Sequence, residues 1–233
     1  MRSLYHHVRS FVVVATFAAI AIPALAQERP AVLSSAEIGP LVERAEPGDH
    51  ARLALHYAAL AERYEAEVKQ HTANATAYNG NSKLAHMAVA QAAHCKKLAD
   101  RRRDAAKTAK EMAQEHSKSA GGAAPTPRVA SSTANASQSP TLTPKQLSDL
   151  VASASTAADH RRLEQYFADL AAGYERDAAN HVAYAKSWRA MTKNPSAPRI
   201  AAHCDRFATE LREMATEARG AADTHKQHAA TAK

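Results

Sequence analysis

Histidine and cysteine are the two residue types in this 233-residue chain whose spacing points to chemistry. Eight of the 13 histidines fall into four pairs separated by about 110 positions. They are His50 and His160, His71 and His181, His94 and His203, and His116 and His225. The two cysteines, Cys95 and Cys204, keep the same separation, and each directly follows a paired histidine. Imidazole and thiolate together suit Zn²⁺ or copper, so these ten residues form a candidate ligand set. The spacing supplies no His-x₃-His or Cys-x₂-Cys pair, and adjacent His94 and Cys95 point about 100° apart on a helix. The competing reading places the histidines in a polar bundle seam, hydrogen-bonded to Glu, Asp or Tyr. Haem attachment requires Cys-x-x-Cys-His, which the sequence lacks.

Two cysteines at equivalent positions of the two copies also suggest a disulfide, if the chain reaches an oxidising compartment. If the copies pack about a pseudo-two-fold axis close to these residues, Cys95 and Cys204 meet and staple the protein. Free thiols, an intermolecular bond and metal ligation are the alternatives. A Cys/His nucleophilic dyad is disfavoured, because neighbouring helical side chains cannot aim at each other. The Glu-x-x-His motif of carboxylate-bridged di-metal bundles is absent as well. The reading is therefore of a protein that is not an enzyme.

The elements that must position these residues are written twice. Asp49-His50-Ala51-Arg52-Leu53 recurs as Asp159-His160-Arg161-Arg162-Leu163. Tyr57, Leu60, Tyr64 and Glu65 are matched by Phe167, Leu170, Tyr174 and Glu175, and Ala92-Ala93-His94-Cys95 by Ala201-Ala202-His203-Cys204. Each copy has a helical period. His50, Leu53, Tyr57, Leu60, Tyr64, Val68 and His71 form one stripe, with a counterpart from His160 to His181. A second stripe runs from Leu84 through Cys95 and Leu98 to Met112, and its counterpart from Ile200 through Cys204 to Ala221. Asn79-Gly80-Asn81-Ser82 and Asn194-Pro195-Ser196-Ala197-Pro198 break the pattern between stripes, and a turn near residue 80 sets His71, His94 and Cys95 near one level of the first hairpin and His50 and His116 near another. Thr143-Pro144-Lys145-Gln146 predicts a capped short helix before the second hairpin, and Ser34–Glu37 a weaker one before the first, interrupted by Gly39 and Pro40.

The expected fold is all-α, a tandem duplication of a short helix plus a long antiparallel helical hairpin. One hairpin with a narrow, Ala-lined seam buries little apolar surface, so the two hairpins are predicted to pack as a four-helix bundle. Two independent hairpins are the rival arrangement. The repeats span 33–118 and 142–233, and the nearly uncharged Ala/Ser/Thr/Pro-rich stretch 119–141 reads as a linker. Scarce aromatic and β-branched residues exclude an all-β fold, and the 45% hydrophobic content is too low for a multispanning membrane protein.

The N-terminus carries an address. Arg2, His6, His7 and Arg9 precede an apolar stretch from Phe11 to Ile22, and Ala24-Leu25-Ala26 follows. That is a signal peptide over 1–26, too short in its apolar part to span a bilayer that needs about 20 residues. Cleavage removes Arg2 and Arg9, lowering the formal charge from +7 to +5. The densest basic stretch, Lys96 to Lys110, is interleaved with acids and reads as solvated helix surface rather than a nucleic-acid patch. The expectation is an exported, periplasmic or secreted protein with no transmembrane anchor after cleavage. Its role would be structural, or binding an unknown protein or other envelope component. The alternative is a periplasmic copper- or zinc-binding protein using the paired His and Cys residues. Intact mass of exported protein should correspond to a chain beginning at Gln27; retention of 1–26 would contradict the leader.

Overall fold

Four of the helices begin on a capping box that satisfies orphaned N–H groups. In the computed structural model, which describes residues 32–126 and 142–231 except the side chains of Ala85 and His86, the element order is a duplicated set of three helices. The predicted signal peptide and residues 127–141 of the predicted linker lie outside the described residues. Helix α1 spans Ser35–Arg44, and the Ser34 N–H donates to the Glu37 carboxylate at 2.9 Å. Its interruption at Gly39 and Pro40 does not occur: Pro40 sits inside the helix, where it removes one intrahelical N–H. Helix α2 spans Pro47–Gly80, with Pro at its first position and Asp49 accepting from the Glu46 N–H at 3.4 Å. Helix α3 covers Ala85–Ala120 and ends on Gly121 at φ 56°, the left-handed conformation that favours glycine.

The second copy repeats this. Helix α4 spans Pro144–Ser153, and its predicted capping box forms: the Thr143 N–H donates to Gln146 Oε1 at 2.9 Å, and the Gln146 N–H returns a bond to Thr143 Oγ1 at 3.3 Å. Helix α5 covers Ala157–Ala190, capped by Thr156 and Asp159, and α6 covers Ala197–Thr231. No strand occurs among the described residues, and none of their helices is long and apolar enough to cross a membrane.

Helices α2 and α3 pack along each other, as do α5 and α6, giving the two predicted hairpins. The hairpins join mainly through α3 and α6. His94 of α3 reaches Glu217 of α6 at 3.0 Å, and Arg199 of α6 reaches Glu115 of α3 at 3.0 Å, so these helices run antiparallel. Helices α2 and α5 do not pack closely on each other; α1 and α4 bridge them instead. Asn180 of α5 donates to Ser35 Oγ at 2.7 Å, and its repeat equivalent Gln70 of α2 donates to Ser148 Oγ at 2.9 Å. Each short helix thus binds the long helix of the other copy.

The predicted stripes are the core. Leu53, Tyr57, Leu98, Met112, Leu163, Phe167, Phe207 and Leu211 are all buried, and Ala105, Ala109, Ala218 and Ala221 let α3 and α6 approach. The linker begins later than expected. Helix α3 continues to Ala120, and Thr126 is held on the start of α2, donating from its N–H to Gly48 O at 3.0 Å and from its hydroxyl to Asp49 at 3.1 Å. Because the hairpins share one core, unfolding in urea should be a single transition. Trp188→Ala, which removes a ring that is 1% exposed, should cost about 3–5 kcal/mol by the fall in its midpoint.

Candidate functional site

The antiparallel arrangement brings the turn of each hairpin to the open end of the other. At one end, His50 of α2 and His116 of α3 face each other with Nδ1···Nδ1 2.9 Å. Tyr57 stacks on His116, and Trp188, from the far end of α5, closes over both imidazoles at 5.3 and 5.5 Å between ring centroids. At the opposite end, His160 of α5 and His225 of α6 meet with Nδ1···Nδ1 3.1 Å. Phe167 stacks on His225, and Tyr78, from the far end of α2, lies against it with its hydroxyl 2.8 Å from His225 Nε2. Tyr78 and Trp188 are repeat equivalents, so the two ends are pseudo-symmetric.

A pair of imidazole nitrogens at this distance shares one proton: one ring donates Nδ1–H and the other accepts on its lone pair. Neutral rings satisfy this arrangement and two imidazolium ions do not. Burial, reinforced by neighbouring histidines, holds His225 down to about 3 and His116 well below the ordinary value, and burial lowers His50 too. The Trp188 ring has no hydroxyl to match that of Tyr78, and His116 Nε2 is correspondingly buried without a partner.

The remaining candidates are scattered. His71 and His181 are buried near the middle of the bundle; burial lowers them to about 4 and about 3, and their Nδ1 atoms have no partner. His94 turns towards α6 and Glu217, while His203 lies 3.6 Å from Glu111 and beside Arg206. The expected His71/His94/Cys95 grouping is therefore not formed: the levels along the hairpin are close, but His94 points out of the seam. Among the described residues, no three His, Cys, Asp or Glu side chains group so as to hold a metal ion. What the structure brings together is His50 with His116, and His160 with His225.

The disulfide expectation is corrected. Cys95 and Cys204 are free and buried. The α3–α6 contacts place the pseudo-two-fold near Arg102 rather than near the cysteines, so the thiols are staggered by a dozen or more residues, roughly 20 Å at about 1.5 Å rise per residue. A disulfide needs Cα atoms within about 7 Å. Cys95 neighbours Tyr78 and Tyr166, and Cys204 neighbours Tyr57 and Tyr184. Burial pushes both thiols up to about 12, which makes them poor nucleophiles and poor ligands.

At the pseudo-two-fold lies a group that the sequence reading missed. The Arg102 guanidinium, buried in the bundle, sits 4.6 Å over the Tyr64 ring and 4.5 Å over the Tyr174 ring, which are repeat equivalents. It pairs with Glu67 at 2.5 Å and donates to the Tyr174 hydroxyl. Burial works against both charges, but the pairing outweighs it: Arg102 is raised and Glu67, flanked also by Arg63, is lowered. One signal was present in the sequence. The repeat equivalent of Arg102 is the apolar Leu211, which marks the position as buried. Beside this group a cavity of about 100 Å³ opens between α1, α2 and α5.

Comparison of the chain with protein-family models, with curated proteins and with solved structures finds no match in any of the three.

Two outcomes follow from these side chains. His56, His71, His181 and His225 have folded pKa values of about 3 to 4, below the ordinary 6.5. Such groups leave stability untouched above pH 6.5 and withdraw it as pH falls towards the folded value, because only the unfolded chain takes up protons. Four of them give a slope approaching about 5 kcal/mol per pH unit near pH 5, so urea midpoints should fall steeply between pH 6.5 and 5; a flat profile would contradict the neutral burial. Thiol titration should find two free cysteines after unfolding without reductant, and reductant should leave Tm unchanged.

Proposed function

We propose that this chain is an exported helical-bundle protein with a non-enzymatic, partner-binding or structural role in the cell envelope. The observation supporting this reading is how its reactive side chains are spent. The histidines best placed for acid–base work are buried, four of them bonded to one another at the two ends of the bundle, with His116 and His225 held well below the ordinary imidazole value. Both thiols are buried and held far above the range in which thiolate forms. Groups arranged in this way set the packing and specificity of a core instead of meeting a substrate. The exposed faces of α3 and α6 carry dense ion pairs, among them Arg101–Glu213 at 3.0 Å and Lys97–Glu217 at 3.3 Å, which suit a solvated or partner-facing surface. Export rests on the N-terminal sequence alone.

A metal-binding role in the periplasm is the second reading, and the facing Nδ1 atoms at 2.9 and 3.1 Å favour it, since a soft cation can bridge two imidazoles. Two imidazoles leave zinc short of the four ligands it takes in structural sites, and we therefore rank this reading second. Cell fractionation and metal titration together separate the readings. The leading one expects the mature chain in the exported fraction, with substoichiometric zinc and copper after purification without a tag. Cytoplasmic retention would overturn the envelope role. One or two tightly held metal ions per chain, lost in His116→Gln and His225→Gln, would establish the second reading.

A further inference from the structure

The duplication leaves one charge without its counterpart, and it does so at the cavity. Glu67 and Asp177 are repeat equivalents on α2 and α5, yet of the two equivalent positions Arg102 and Leu211 only the first supplies a buried guanidinium. Glu67 takes Arg102 at 2.5 Å and also Arg63, through the Arg63–Glu67 pair at 2.9 Å. Asp177 has no hydrogen bond or ion pair with any described residue, although it is half-buried; burial raises it above the ordinary carboxyl value, against the longer-range pull of Arg63, Arg176 and Arg102. Two guanidinium groups thus share one carboxylate on one side of the cavity, and an unpaired carboxyl stands on the other.

The cavity has room for a ligand there. Gly173 occupies the position equivalent to Arg63, and a Cβ added to it would meet only the Arg176 guanidinium, at 3.9 Å, so the α5 wall is open where the α2 wall is filled, with Arg176 at its edge. Two buried polar atoms among the lining residues lack partners: Arg102 Nε, a donor, and His181 Nδ1, on a ring that burial keeps neutral. Leu60, Leu170 and Phe207 supply an apolar lining. About 100 Å³ corresponds to roughly three water molecules at about 30 Å³ each, so the occupant is small.

We propose that this cavity binds a small zwitterion of the α-amino-acid class, with its carboxylate on Arg102 Nε and the Arg63 side and its ammonium on Asp177 and His181 Nδ1. A simple carboxylate would leave Asp177 unpaired and facing a second negative charge. A simple amine would leave Arg102 Nε without an acceptor. A zwitterion satisfies both at once, and burying matched opposite charges with hydrogen bonds is the condition under which such burial is tolerated. The inference is independent of where in the cell the protein acts.

Isothermal titration of the full-length chain in amine-free buffer tests this, with glycine, L-alanine and L-serine as probes and acetate, ethylamine and N-acetylglycine as controls. The expected result is saturable one-to-one binding of at least one zwitterion, at least tenfold tighter than any control. Asp177→Asn should weaken that binding at least tenfold while leaving the thermal melt unchanged, and Asp149→Asn, on the exposed face of α4, should leave binding intact. No binding by any of the three zwitterions would overturn the assignment. So would acetate or ethylamine binding as tightly as the zwitterion, or an Asp177→Asn protein that binds like the parent.

Discussion

The structure depends on crossed closure: each hairpin's open end is sealed by an aromatic ring from the other hairpin's turn. Trp188 covers His50 and His116, and Tyr78 covers His225 where it meets His160. The imidazole pairs need this cover. In water each ring would hydrogen-bond to solvent and titrate near its ordinary value; enclosed, each pair is held as one donor and one acceptor. The aromatic rings need the antiparallel placement of the hairpins, which the small residues along α3 and α6 permit by letting those helices approach. The short helices α1 and α4 complete the exchange by binding across to the opposite copy. Neither hairpin therefore buries its polar ends without the other, which couples the two copies more firmly than apolar area alone.

Duplication fixed the frame, and divergence within it produced the features that are not symmetric. Trp188, standing where the other copy has Tyr78, leaves His116 Nε2 unpartnered where His225 Nε2 meets a hydroxyl. One arginine, Arg102, lies between two equivalent tyrosines and chooses one of two equivalent acids. Gly173, at the position equivalent to Arg63, opens a wall of the cavity beside Arg102. Symmetry in this chain supplies stability, and its local failures supply the candidate chemistry.

Much of this was legible in the sequence, for physical reasons. The helical period, turn residues and capping signals are local, and the stripes from Leu53 to Met112 and from Leu163 to Ala221 became the core as read, apart from half-buried Val68. The pairing of His50 with His116 followed from hairpin geometry alone. The disulfide did not follow, because it required the position of the pseudo-two-fold, and that is set by how α3 and α6 slide past each other, which no local signal encodes. His94 was misplaced because distance along a helix is easily read but the direction of a side chain across a bundle is not. Arg102 was hidden in a run of basic residues; only its alignment with Leu211 distinguishes it from its exposed neighbours Arg101 and Arg103.

Crossed closure is most directly tested by proton–proton contacts between aromatic rings in solution. Nuclear Overhauser spectra of the intact chain should show cross-peaks between the Tyr78 and His225 rings and between the Trp188 and His116 rings, whose centroids lie 5.9 and 5.5 Å apart. Cross-peaks confined to rings of the same hairpin, such as Tyr57 with His116 and Phe167 with His225, would show two independent hairpins and contradict the account.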